Sequence, residues 1–153
     1  MTAPVPVRVL RVAAGGEGVG KLEDGRTVFI PRTAPGDLVT LAGLEVHKRF
    51  ARARIDRILS PSTDRVEPRC IHYAGDRCGG CQLQHLSPEA QRSAKAAIVG
   101  DQLRRIGRLD AVDPVVMPSD VQWGYRNKLT LAVAGGHVGL HRMGEAARVF
   151  DLE

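Results

Sequence analysis

Apolar and polar positions alternate from the first residues. Val5, Val7 and Val9 face one way and Pro6, Arg8 and Leu10 the other, a period of two that predicts a strand. Gly15-Gly16-Glu17-Gly18 interrupts it, and two further runs, Val19 to Leu22 and Val28 to Ile30, flank Asp24-Gly25. That dipeptide predicts a hairpin closed by a type I′ turn, with positive φ at both central residues. Pro31 and Pro35-Gly36 mark a loop, and Asp37 to Leu59 predicts one or two more strands with a turn near Ala42-Gly43. Short strands punctuated by glycine turns predict a small barrel.

The period changes after a polar connector that starts at Pro61-Ser62. Ser87 is placed to cap a helix, Pro88 fits its first turn, and Glu89 sits at the positive dipole end. Ala90, Ala94, Ala97, Ile98, Leu103 and Ile106 form a helical stripe, and Gly107 suits the C-terminal cap, so a helix is predicted over 88–106. Gly100 weakens its middle. Alternation then returns in Tyr125 to Val133, His137 to Arg142 and Ala147 to Leu152, joined at Gly135-Gly136 and Gly144-Glu145, which predicts a three-stranded antiparallel sheet. The fold class is therefore α+β, mostly β. Residues 1–60 form a barrel, and residues 61–153 a cysteine loop, a helix and a sheet that breaks off at Glu153 in what reads as strand, as in an incomplete domain.

Charge sharpens this picture. The 153 residues carry a net charge of +5, which favours an acidic partner such as nucleic acid. Aromatic residues make up only 4%, so the core is built from Val, Leu, Ile and Ala. In His47 to Arg57 the strand period puts Phe50, Arg52, Arg54 and Asp56 on one face and Ala51, Ala53 and Ile55 on the other. Two arginines and an aromatic on one face suit phosphate contact and base stacking, whereas the plainer reading is a solvated strand with an inward Ala–Ile face. No run of eighteen apolar residues and no signal-peptide pattern occurs, so the chain reads as cytoplasmic, away from membranes, with reduced cysteines.

The three cysteines, Cys70, Cys78 and Cys81, fall within twelve residues. Their spacing predicts one side of a thiolate metal site, with Gly79 and Gly80 taking positive φ so that the two flanking thiols can converge. Zinc would take the three cysteines with His72 or His85 as fourth ligand, and an iron–sulfur cluster would take a fourth ligand from elsewhere. Spacing does not choose between them, and three free buried thiols are the remaining alternative. No catalytic constellation is visible. Gly15 to Gly20 superficially resembles a phosphate loop but lacks the following Lys-Ser/Thr and opens no helix, and His137 and His141 lie in strand rather than helix.

Specific strings resemble a known family. Glu17-Gly18-Val19-Gly20, Asp24 to Pro31 and Ala34-Pro35-Gly36-Asp37 resemble a TRAM domain, an OB-like, five-stranded RNA-binding barrel. Pro61-Ser62, Arg65-Val66, Pro68, Cys70, Cys78-Gly-Gly-Cys81-Gln82-Leu83-Gln84-His85 and Gly124 to Lys128 then follow in the order seen in RNA (uracil-5-)-methyltransferases. The layout is most similar to that of the 23S ribosomal RNA 5-methyluridine enzymes. The resemblance runs from about residue 10 to the last residue. It implies a [4Fe–4S] cluster on Cys70, Cys78 and Cys81, with the fourth cysteine of the family falling at or just past Glu153. The gap from Cys70 to Cys78 has seven residues where shorter gaps are usual.

The resemblance also implies a partner of structured RNA, ribosomal ahead of transfer RNA, a monomeric state, and S-adenosylmethionine as cofactor of the complete enzyme only. The S-adenosylmethionine domain and its catalytic residues are absent from this chain. Lys48, Arg49, Phe50, Arg52 and Arg54 are the expected RNA contacts. The alternative is a stand-alone RNA-binding module with a zinc or iron–sulfur staple and no catalysis.

Overall fold

A computed structural model of the chain describes residues 6–75 and 77–152; Val5, which opens the first alternation, lies outside them. The chain forms two compact units, one of residues 1–66 with 85–116 and one of residues 67–84 with 117–153.

The first unit is a closed five-stranded barrel with a helix. Strands β1 (Val7–Val12), β2 (Glu17–Lys21), β3 (Thr27–Pro31), β4 (Leu38–Val46) and β5 (Phe50–Ser60) close in the order β1-β2-β3-β5-β4. All neighbours are antiparallel except β3 and β5, which run parallel. Closure leaves no free edge. Inside, Val7, Val9, Val28, Ile30, Val39, Ala51 and Ala53 form one cluster, with Leu22, Leu41 and Ile55 packed against it. Valine and isoleucine fill most of a narrow interior, so β5 contributes alanines. Gly18 and Gly20 sit on β2 where a Cβ would collide with Thr33 and Val7. Their role is close approach within a strand, whereas the sequence places Gly18 in the loop that interrupts the first alternation.

Three turns differ from the sequence expectation in instructive ways. The β2–β3 connection has positive φ at Gly25 alone, not at both central residues. The Gly25 N–H donates to the Leu22 carbonyl and Leu22 N–H to the Arg26 carbonyl, each at 2.9 Å, giving a three-residue loop whose last position needs glycine. The Asp24 carboxylate accepts from Arg26 N–H at 3.0 Å, which explains the aspartate without a left-handed φ. Ala42-Gly43 is no turn: Gly43, with φ +60°, lies in a break of register within the β4–β5 ladder. The reversal comes later, at 47–49, closed by His47 N–H to the Phe50 carbonyl at 2.8 Å.

A polar hub ties the connector after β5 to the barrel. The Asp37 carboxylate is fully buried and accepts from the N–H groups of Ala34 (2.7 Å) and Ser62 (2.8 Å) and from the Arg65 guanidinium (2.8 Å). Arg65 also donates to the Arg32 carbonyl at 2.8 Å. Burial pushes the Asp37 carboxyl up, but Arg65 and the two backbone donors outweigh it and hold it below the usual carboxylate range.

A short helix α1 (Ile71–Ala74) belongs to the second unit, and helix α2 (Pro88–Arg105) to the first, where it meets the barrel at β1. Ser87 caps α2 as expected, its hydroxyl accepting from Ala90 N–H at 3.2 Å. The C-terminal end differs: Ile106 is the cap residue, and positive φ falls on Arg108 rather than Gly107. The apolar stripe is only partly covered, with Ile106 75% exposed. Gly100, the one buried residue of α2, admits the Asp113 carboxylate where a Cβ would clash, and Arg104 pairs with that carboxylate at 2.7 Å.

In the second unit β6 (Ala132–Ala134), β7 (His137–Arg142) and β8 (Glu145–Asp151) form the antiparallel sheet in the order β6-β7-β8. The fold is thus mostly β, with a five-stranded barrel, one main helix and a three-stranded sheet. Among the described residues no helix is long and apolar enough to cross a membrane.

Candidate nucleic-acid interface and cysteine pocket

Strand β5 divides its residues as the alternation requires. Ala51 and Ala53 are buried, Arg52 and Arg54 are exposed, and Phe50 is half-buried. The inward Ala–Ile face is therefore real, and Arg52 and Arg54 face solvent on the other side. Phe50 is not a lone ring. It stacks on His47 with centroids 4.5 Å apart and 25° between planes, and meets Phe29 edge-on at 5.9 Å. Phe29 lies between the buried Val28 and Ile30 on β3, so its side chain points outward, and its Cα partner across the parallel ladder is Arg52. The Arg52 guanidinium stands 5.7 Å from the Phe29 ring centroid and forms an ion pair with Glu17.

The cations of this face fall into two sets. Arg52 is neutralised by Glu17. Lys48 and Arg49 occupy the exposed tip of the β4–β5 turn, and Arg54 projects from β5 with its Nη2 3.0 Å from where a Cβ on Gly43 would stand. No ion pair holds these three among the described residues. The turn itself is pinned from the side by Arg26, whose Nη1 approaches the His47 carbonyl at 3.5 Å while its guanidinium pairs with Asp24. Three of the five expected residues, Phe50, Arg52 and Arg54, share one face of β5, Lys48 and Arg49 lie in the turn before it, and Phe29 and His47 join Phe50. Phe29 is not among the contacts expected from the sequence, although the strand period between Val28 and Ile30 is a signal for an outward ring; the stack of His47 on Phe50 depends on a turn with no glycine or proline to announce it.

In the second unit Cys70, Cys78 and Cys81 line one cavity of about 160 Å³ together with His72, Tyr73, Gly80, Gln84, Arg126, Leu129, Leu140 and Leu152. Cys78 is buried, Cys70 partly so, and Cys81 exposed, and no disulfide joins them. Among the described residues no group of three His, Cys, Asp or Glu side chains converges tightly enough to hold a single metal ion. The thiols stand around a space rather than meeting at a point. Gly79 and Gly80 serve it differently from expectation, since neither has positive φ; that conformation falls on Arg77. The glycines answer to space: a Cβ on Gly79 would stand 3.0 Å from the His141 carbonyl oxygen, and one on Gly80 3.2 Å from Leu140 Cδ1 and 3.4 Å from Cys78 Sγ. Without that Cβ, Gly80 N–H points at Cys78 Sγ at 3.3 Å.

The two histidines considered as ligands part company. His72 is on the wall of the cavity, its ring 5.4 Å from that of Phe150. His85 belongs to the barrel unit and does not line the cavity. It is 2% exposed there, and burial lowers its pKa from 6.5 to about 4, with Arg65 and Arg32 adding to the effect and Thr33 and Asp37 opposing it.

Comparison with known proteins adds a family to this geometry. The TRAM domain family matches residues 4–55. The chain is 42% identical over 118 residues to an uncharacterized RNA methyltransferase of Listeria monocytogenes, covering 77% of this chain and 25% of that protein. It is 38% identical over 132 residues to the 23S rRNA (uracil(1939)-C(5))-methyltransferase RlmD of Shewanella sediminis, covering 86% of this chain and 29% of that protein. Among solved structures it is similar to the Pyrococcus abyssi tRNA (uracil-54, C5)-methyltransferase in complex with S-adenosyl-L-homocysteine. That likeness has a TM-score of 0.61 and 26% identity, over 95% of this chain and 31% of the other. The chain spans between a quarter and a third of the length of these relatives.

Proposed function

We propose that this chain, which corresponds to the N-terminal TRAM-containing portion of an RNA (uracil-5-)-methyltransferase, grips structured RNA for a methyl transfer carried out by the rest of that enzyme. The supporting observation is the outward face of β5. Lys48, Arg49 and Arg54, which have no ion-pair partner among the described residues, lie in the turn and on the strand that carry a stack of aromatic rings on a closed barrel, the pairing of charge and π-surface that unstructured stretches of RNA require. The parent reaction is formation of 5-methyluridine with S-adenosylmethionine as donor. In such a reaction a cysteine thiolate adds to C6 of the uracil and makes C5 nucleophilic, and the target base must leave its stack to be reached. The contribution proposed for this chain is orientation of the RNA. Ribosomal RNA is the proposed partner.

Cys70, Cys78 and Cys81 are proposed to hold a [4Fe–4S] cluster. An iron–sulfur cube needs a chamber with sulfurs on its walls, and the cavity offers three thiols, the leucines Leu129, Leu140 and Leu152, and a backbone N–H aimed at Cys78. Such a cluster, when bound, serves as a covalent staple for a loop with little core of its own. Zinc is the alternative, and against it stands that among the described residues no three donors converge on a single point.

Two assays test the reading. The chain should bind a 23S ribosomal RNA fragment more tightly than a transfer RNA transcript at matched salt, and anaerobic purification should yield iron and acid-labile sulfide with the visible absorption of a cluster. Equal, feeble binding to both RNAs would remove the first half of the proposal. Stoichiometric zinc without iron would remove the second.

A further inference from the structure

The aromatic rings on the barrel are stacked in a sequence that has a free end. Phe29 braces Phe50 edge-on, Phe50 is covered by His47, and His47, at the mouth of the β4–β5 turn, is exposed. Resting on the proposal that this barrel binds RNA, we propose that His47 is the outer plate of a stacking site for one unpaired nucleobase. The base continues the series Phe29–Phe50–His47, with Lys48, Arg49 and Arg54 taking the flanking phosphates. Four observations carry this. The 25° interplanar angle makes His47 and Phe50 a near-parallel pair, so the outer face of the imidazole is presented flat. The plate is held before any ligand arrives, by the His47 N–H bond to the Phe50 carbonyl and by Arg26 at the His47 carbonyl. Arg52 is occupied by Glu17 and lies over Phe29, so it buttresses the rings instead of serving as a phosphate contact. Lys48 and Arg49 follow His47 directly in the turn, Arg54 lies further along β5 against Gly43, and none of the three has a carboxylate partner among the described residues.

This assigns a ligand class, a single-stranded or bulged nucleotide, because a base inside a duplex has both faces covered. It also separates two kinds of contact usually merged under basic patches. Loss of a phosphate contact lowers the salt slope of binding by about one per charge, whereas loss of a stacking plate lowers affinity without changing the slope.

The test measures binding of the chain to a short single-stranded RNA, to the same strand with one abasic position scanned along it, and to the duplexed strand, for wild type, His47→Ala, His47→Phe and Arg52→Ala. Each variant is first checked for an unchanged circular dichroism spectrum and melting curve. We expect His47→Ala to weaken the intact strand about fivefold to tenfold, to leave the duplex unchanged, and to abolish the penalty of the one sensitive abasic position. His47→Phe, which restores a flat ring, should recover wild-type affinity, and Arg52→Ala should weaken the single strand with its salt slope intact. Equal losses for strand, duplex and abasic RNA, or no rescue by phenylalanine, would overturn the stacking site while leaving RNA binding by the barrel in place. Absence of RNA binding by the wild-type chain would overturn the underlying reading itself.

Discussion

Arg65 and Asp37 lie 28 positions apart, one in the connector after the barrel and one immediately before β4, and form a guanidinium–carboxylate pair at 2.8 Å around a fully buried acid. The Ser62 N–H completes the same carboxylate, so the strings Ala34-Pro35-Gly36-Asp37 and Pro61-Ser62…Arg65 are two halves of one structural device. It fixes where the chain leaves the barrel.

Breaking that pair from the arginine side should be costly, because a buried carboxylate would lose the guanidinium that pairs with it. Arg65→Ala is expected to destabilise the barrel by about 3 kcal/mol, near the low end for buried pairs because Arg65 retains some solvent contact. The pH dependence should change as well. Asp37 has its folded pKa lowered, so the stability it contributes is present above its unfolded value of 3.8 and is lost as pH falls through the lowered folded value. Without Arg65, burial prevails and the carboxyl protonates at higher pH. The acid-unfolding midpoint of Arg65→Ala, followed by circular dichroism, should therefore move upward; an unmoved midpoint would deny the pair its role.

His85 makes a second, separable pH prediction. Its folded pKa of about 4 lies below its ordinary 6.5, so the unfolded chain binds the proton first. Stability should decline as pH falls from 6.5 towards 4 and level off below, by roughly 3 kcal/mol at most. Urea denaturation at pH 7 and at pH 4.5 would show the loss in the wild type and a smaller one in His85→Gln.

The cysteines should differ in reactivity in the metal-free chain. Cys81 is exposed, Cys70 partly covered and Cys78 buried. Alkylation timed by peptide mass spectrometry should proceed in the order Cys81, Cys70, Cys78, and reconstitution with iron and sulfide should protect all three together. Gly80→Ala, which crowds Leu140 and Cys78, should reduce the iron retained. Uniform alkylation rates would contradict the enclosure of Cys78.

The exposed cations allow a graded electrostatic test. Lys48→Ala, Arg49→Ala and Arg54→Ala should each lower the slope of log K against log salt by about 0.7 to 0.9 for RNA binding, and the triple variant by the sum. Slopes unchanged in the triple variant would place the phosphates elsewhere.

Much of this fold was legible from periodicity. The inward valines of β1 and β3, the Ala–Ile face of β5 and the Ser87-Pro88-Glu89 start of α2 follow from local rules that hold wherever one face is buried. The misread turns share a cause. Glycine marks a need for space or for positive φ without saying which, so Gly43 suggested a turn where a register break occurs, and Gly79-Gly80 suggested left-handed backbone where close packing was the need. The reversal at 47–49 carries no glycine or proline and was silent. Two relationships had no local signal at all, Asp37 with Arg65 and His47–Phe50 with Phe29, because each joins residues brought together only by barrel closure. The site residues on β5 were visible; their aromatic neighbours needed the parallel β3–β5 pairing to be known.

Ultraviolet crosslinking of the chain to a 23S ribosomal RNA fragment, read by mass spectrometry, addresses the central claim most directly. The account expects crosslinked nucleotides on the peptides that carry His47, Phe50 and Phe29. Crosslinks confined to α2 or to the three-stranded sheet, with that barrel face unmarked, would contradict it.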